Sequence, residues 1–93
     1  MERDETELRM NTLKDEEARI GQLWYDQYMQ NVVPLERAIN QAEDDDNYAE
    51  ASRLEGLKDT QMAIWNDLQS QLNAVRAKLA IAIAEYRALG GQI

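Results

Sequence analysis

The sequence predicts an all-α fold: an antiparallel two-helix coiled-coil hairpin, its first helix kinked near Pro34, completed into a bundle by self-association or a partner. Three observations carry this. Trp65, Leu68, Leu72, Val75, Leu79, Ala82, Tyr86 and Leu89 follow one another at alternating steps of three and four, an unbroken a/d seam. Leu13, Ile20, Leu23, Trp24, Tyr28, Val32, Leu35, Ile39 and Ala42 line one face of the first half at helical spacing, interrupted by Glu17. Between the two stripes lies Asp44-Asp45-Asp46-Asn47, whose side chains bond their own backbone and favour turns. The expected organisation is a single helical hairpin over 1–93, with a helix over about 4–43, a turn at 44–47 and a helix over about 48–89.

In chain order, Asp4 is placed to cap the first helix, with Glu7 three residues on as the reciprocal carboxylate. Pro34 is the one break. It lacks a backbone donor and biases Val33 away from the helical region. Either one long helix kinks there, or Asn31 caps a second helix that holds Pro34 in its first turn. The stripe keeps phase from Tyr28 through Val32 to Leu35 and Ile39, which favours the kink. Asn47 is a good N-cap for the last helix, with Glu50 at the third position. The turn acids also suit the positive end of that helix. Gly56 inside it costs about 1 kcal/mol relative to alanine and marks either a soft spot or a close approach by another helix. Gly90 and Gly91 end the helix, because glycine reaches the left-handed conformation cheaply.

Folding the chain at the turn tests whether the stripes match. Residue numbers that face each other then sum to about 91. Ile39 falls near Ala51, Leu35 near Leu54 and Leu57, and Tyr28 near Met62. Trp24 lies between Trp65 and Leu68, Ile20 opposite Leu72, and Leu13 near Leu79. Two layers are mixed: Val32 meets Lys58, and Glu17 meets Val75 with Arg76 close enough to pair. Beyond Leu79 the match fails. Ile81, Ile83, Tyr86, Leu89 and Ile93 face a segment that offers Leu8 and Met10 among charges. Ala77, Ala80, Ala84 and Ala88 form a second, small-residue face there. Surplus apolar surface points to a partner, and a two-helix hairpin that buries each stripe on one side only is marginal alone.

Composition excludes several function classes. The chain has no cysteine and no histidine, so it builds no disulfide, thiolate zinc site, Ser-His-Asp triad or Glu-x-x-His di-iron motif. Three consecutive aspartates do not make a calcium loop, which spaces its ligands alternately around a glycine bend. Glu16-Glu17 diverge on a helix and read as a solvated face. The expectation is no enzyme, no catalytic residue, no cofactor and no metal. The net charge of −8 sits on residues 1–46, with 13 acids against 5 bases, while residues 47–93 hold 5 of each. No cluster of Lys and Arg exists to meet a nucleic-acid backbone. The charged start speaks against a signal peptide, and the longest apolar run, Leu79 to Ala84, is too short to span a bilayer. A soluble, cytoplasmic protein is expected, or one of the virion or host cytoplasm if viral.

Leu35-Glu-Arg-Ala-Ile39 through Asp46-Asn-Tyr48-Ala-Glu-Ala51-Ser-Arg53-Leu54 resembles the UVR motif, the short helical hairpin of excision-repair proteins and Clp-type adaptors. The characteristic Leu-Arg-Asp of that family is absent. The resemblance implies a hairpin that docks on another hairpin, and it carries over no functional residue.

Two functions fit. The first is a structural, assembly or adaptor coiled coil that oligomerises or docks on a larger protein complex. Viral and phage accessory or assembly proteins match this description. Its contacts are Ile81, Ile83, Tyr86, Leu89 and Ile93 at the open end, with Tyr25 and Tyr48 beside the stripes. The second is a small acidic inhibitor that presents its first helix to a basic groove, as in a nucleic-acid-processing complex. Arg3, Arg9, Lys14 and Arg19 dilute the acids of that helix, which favours the first.

Overall fold

The computed structural model describes residues 2–91 and is helical nearly throughout. Helix α1 (Glu2–Gln27) leads through a five-residue π turn (Tyr28–Val32) into α2 (Val33–Asp44); after a tight turn, α3 (Tyr48–Ala88) runs for 41 residues. The antiparallel all-α hairpin therefore forms, with no strand among the described residues. Helix α1 starts at Glu2 rather than Asp4, so Glu2, Asp4 and Glu5 all lie in its first turn. That placement sets three carboxylates at the positive end of the helix dipole.

The chain divides into two units: a terminal unit, from the start to Gly21 and from Ser70 onward, and a turn unit, Gln22–Gln69. In the terminal unit, Met10, Leu13 and Ile20 of α1 pack against Leu72, Val75, Leu79 and Ala82 of α3. Thr6 fills the next layer of the seam. It is buried, and its hydroxyl donates to the Glu2 carbonyl at 2.8 Å, so no polar group is left unpaired. Leu8 takes no part and stays 69% exposed. Glu17 interrupts the seam as expected and pairs with Arg76 Nε at 3.4 Å.

In the turn unit, Ile39 and Ala42 of α2 meet Ala51 and Leu54 of α3, flanked by Leu35 and Ala38. Nearer the π turn, polar side chains also bond across the hairpin. Gln27 donates to both the backbone and the side-chain oxygen of Gln61 (3.0 and 2.9 Å), and Asn31 donates to Gln27 at 2.7 Å. Lys58 sits 3.8 Å from Glu36, which also accepts from the Tyr28 hydroxyl at 3.3 Å. Val32, expected opposite Lys58, is fully buried at 0%.

The π turn is how the chain passes Pro34. The Val33 N–H bonds the Tyr28 carbonyl, five residues back. Proline has no N–H, and in a regular helix its ring presses on the carbonyl four residues earlier. The wide turn removes that conflict. It also corrects register. The α1–α2 seam runs Thr6, Met10, Leu13, Glu17, Ile20, Trp24, Tyr28, Val32, Leu35, Ile39, Ala42. Its steps alternate four and three except for three consecutive fours from Ile20 to Val32. In a straight α-helix that extra residue would rotate Val32 and everything after it by about 80° out of the seam; the π turn absorbs it. Asn31 does not cap a second helix, since its side chain bonds Gln27, and Val32 is the residue preceding α2 with no side-chain cap.

Both helix ends close by the same arrangement. After α2, Asn47 N–H bonds the Ala42 carbonyl (2.8 Å) and Asp46 N–H bonds that of Glu43 (3.0 Å). After α3, Gly91 N–H bonds the Tyr86 carbonyl (2.9 Å) and Gly90 N–H bonds that of Arg87 (3.0 Å). These are Schellman motifs, which need a left-handed residue. Gly90 supplies it at φ +86°, and Asp46 does so as a non-glycine at φ +57°. Asn47 then caps α3, its Oδ1 accepting from the Glu50 N–H at 3.3 Å. Gly21 and Gly56 have no atom of this chain within 4 Å of where a Cβ would stand, so neither marks a close approach within the hairpin.

Candidate functional site

The residues singled out from the sequence fall into distinct surroundings. In the terminal unit, Ile81 projects outward and is 60% exposed, and Leu89 is also exposed. Ile83 and Tyr86 are half-buried and pack on the terminal core. The Tyr86 ring occupies the space a Cβ would need at Gly91. Ile93 lies outside the described residues. In the turn unit, Tyr25 is exposed at 54%. Tyr48 is exposed too, and its hydroxyl donates to Asp46 Oδ1 at 3.1 Å, beside the left-handed residue of the turn.

The terminal unit shows a shallow pocket of about 250 Å³ lined by Arg9, Leu13, Lys78, Ile81 and Glu85. Arg9 crosses from α1 to pair with Glu85 on α3. Beyond that pair a second depression of about 400 Å³ is walled by Glu2, Glu5, Thr6, Ala88 and Leu89. Aliphatic surface is thus framed by one ion pair and by charges of both signs. The unit as a whole is nearly neutral, with 8 acids and 7 bases. The alanine face of Ala77, Ala80, Ala84 and Ala88 is exposed.

The turn unit holds a different site, which the sequence reading did not assemble. Trp24 of α1 and Trp65 of α3 stack at 5.3 Å between ring centroids with planes 30° apart. Tyr28 tilts against Trp65 at 5.7 Å and 56°. With Tyr25 and Met29 these rings wall an apolar pocket of about 380 Å³. Both indole N–H groups are buried without an acceptor. Leaving such a donor unpaired costs roughly 1–3 kcal/mol. The spacing placed both tryptophans on facing stripes but set Tyr28 near Met62, and the tilt of the Tyr28 ring onto Trp65 is not visible without the backbone. The unit carries 10 acids and 3 bases, a net charge of −7. The charge asymmetry therefore follows the units rather than the two halves of the sequence, because the bases Arg76, Lys78 and Arg87 return to neutralise the acids of α1.

Acid–base chemistry has little to work with. Among the described residues one pair shows displaced titrations, Arg53, which is exposed, and Glu50, which is half-buried. The Arg53 hydrogen bonds (Nε to Oε2 at 3.0 Å) hold the Glu50 carboxyl below its ordinary value, helped by the guanidinium charge and opposed by slight desolvation. The same pair raises Arg53. Among the described residues no group of acids, histidines or cysteines is arranged to hold a metal ion, and no helix is long and apolar enough to cross a membrane.

No family model, curated protein or solved structure matches the chain.

Proposed function

We propose that this protein is a non-enzymatic assembly hairpin that associates with a second copy of itself through the terminal unit. One observation carries the reading. Ile81, a large aliphatic side chain beside the packed Leu79–Ala82 seam, is 60% exposed and with Leu13 supplies the aliphatic lining of a shallow pocket rimmed by Arg9, Lys78 and Glu85. A contiguous exposed apolar patch, rather than a lone side chain, marks an interaction site, and Ile81 stands with exposed Ala77, Ala80, Ala84 and Ala88 on the same helix.

Electrostatics supports the choice of face and of partner. Two terminal units meet at near-zero net charge, with acids and bases interspersed for cross-pairing. Two turn units would meet at −7 each and repel at short range. The exposed alanines of α3 permit a close helix–helix approach alongside Ile81. Packing two hairpins as a bundle covers the exposed Ile81 and the alanine face beside each seam, which a lone hairpin leaves to water. The role is that of a scaffold or adaptor element in a larger assembly, acting by shape and association.

Sedimentation equilibrium over a wide concentration range, with helicity followed in parallel, tests this. The expected result is a dimer or higher oligomer that Ile81→Asp converts to monomer. Ile81 is the cleaner position than Ile83, because Ile83 packs on the hairpin's own core and its replacement by aspartate disturbs the fold. A wild-type chain that is monomeric and fully helical at every concentration contradicts the proposal.

A further inference from the structure

We infer that the turn unit is a docking site for a basic segment of another protein, which seats one large apolar side chain in the Trp24–Trp65 pocket. This goes beyond self-association: it uses a different unit, and it stands or falls independently of the terminal contact.

The pocket states half of the partner's chemistry. Its walls are four aromatic rings and a thioether, from Trp24, Tyr25, Tyr28, Trp65 and Met29. Tyr25 and Met29 form part of that wall and are 54% and 43% exposed, so a large apolar surface is turned to water at one place. Aromatic pockets of this kind concentrate binding energy on a single inserted anchor. Methionine at the rim adapts to the shape of what enters. A carbon-lined hole selects an apolar anchor, because a polar or charged group entering it loses water and finds no partner.

The charge of the unit states the other half. Ten acids against three bases lie within Gln22–Gln69, the unit that holds this hole, with Asp26 on the stretch of α1 that lines it. Two of the three bases are already engaged: Arg53 with Glu50 and Lys58 with Glu36. A field of that sign steers cationic partners toward the surface and holds off anionic ones. It rejects a nucleic-acid backbone, and it rejects the same unit of a second copy. The complementary occupant is an apolar anchor flanked by lysine or arginine. An uncharged small apolar molecule satisfies the hole but leaves the charge unused, and the test separates that case.

The chain supplies its own reporter. It contains two tryptophans, and both line the pocket, so their emission reads this site alone. The probe is a tryptophan-free amphipathic Lys/Leu peptide with one central phenylalanine, titrated into the full chain. Binding should shift the tryptophan emission. Replacing the peptide's phenylalanine by alanine, or making Tyr25→Ser or Met29→Ala in the protein, should weaken binding about tenfold each. Added salt should weaken it further, and the Glu/Leu counterpart should not bind. Tyr25 and Met29 are exposed, so circular dichroism should show both variants fully helical; Met29→Ala alone decides the matter if Tyr25→Ser loses helix. Three results overturn the inference: no binding of the basic peptide, binding indifferent to Met29→Ala, or equal binding of the acidic peptide. Saturation of the tryptophan signal by neutral 1-aminonaphthalene, with no response to the basic peptide, also overturns it and reassigns the pocket to small apolar molecules.

Discussion

Trp24 and Trp65 face each other across the hairpin at 5.3 Å, and neither indole N–H has a hydrogen-bond acceptor. The pair therefore contributes ring surface and stacking but no polar bond. Trp24→Phe or Trp65→Phe removes an orphan donor while keeping an aromatic ring in place. Each should stay within about 1 kcal/mol of wild type, whereas Trp65→Ala should cost about 3 kcal/mol. Urea unfolding followed by circular dichroism measures all three. A large loss in the phenylalanine variants would mean that the N–H groups are engaged after all.

Asp46 holds the left-handed position between α2 and α3 at φ +57°, the place Gly90 fills after α3. A side chain there costs energy that glycine does not, so Asp46→Gly should stabilise the hairpin by roughly 1 kcal/mol. The exposed Tyr48 hydroxyl bond to Asp46 offsets part of this. Asp45, at φ −86°, needs no glycine, so Asp45→Gly should not stabilise. Thermal melts of the two variants should move in opposite directions.

The π turn clears the Pro34 ring, but the seam holds one residue too many between Trp24 and Val32 whether or not a proline follows, so the register alone calls for the turn. Pro34→Ala alone should therefore leave the wide turn intact. Deleting Gln30 together with Pro34→Ala should give a regular α-helix with Val32 still buried, unfolding no earlier than wild type. Backbone chemical shifts over residues 27–34 distinguish the two states. A regular helix in Pro34→Ala by itself would assign the turn to the proline.

Glu17 occupies a seam position between Leu13 and Ile20, tied to Arg76 at 3.4 Å. Arg76 is exposed and Glu17 half-buried, and the pair contributes about 1 kcal/mol or less. Glu17→Leu should extend the terminal core and stabilise by about 1 kcal/mol. It should also strengthen self-association if that seam is shared between copies, which sedimentation of the variant shows directly.

Much of this architecture is legible in the sequence because helix packing is periodic. The Trp65–Leu89 heptad, the Asn47 cap, the Gly90 stop and the Glu17–Arg76 pair each rest on spacing or on one residue's local chemistry. The residues behind the resemblance at 35–54 do turn chemistry here: Asp46 takes the left-handed position, Asn47 caps, and Tyr48 bonds back. What the sequence hides is what depends on two strands of the chain at once. The π turn had a signal, three consecutive steps of four from Ile20 to Val32, which read as preserved phase. Thr6 as a seam residue looked polar, because its bond to the Glu2 carbonyl exists only inside the helix. The aromatic pocket and the charge of the turn unit emerge only when α1 and α3 are laid together.

The central claim, that two copies meet through their terminal units, is tested most directly by distance. The chain has no cysteine, so a single spin label at Ala74→Cys, an exposed position of the terminal unit two turns from Ile81, reports only contacts between copies and leaves Ile81 in place. Pulsed dipolar spectroscopy should give a short distance between labels at position 74 that vanishes on mixing with excess unlabelled protein, and no comparable signal from Tyr48→Cys. A fully helical sample with no dipolar signal at position 74, or with an equal one at position 48, would contradict it.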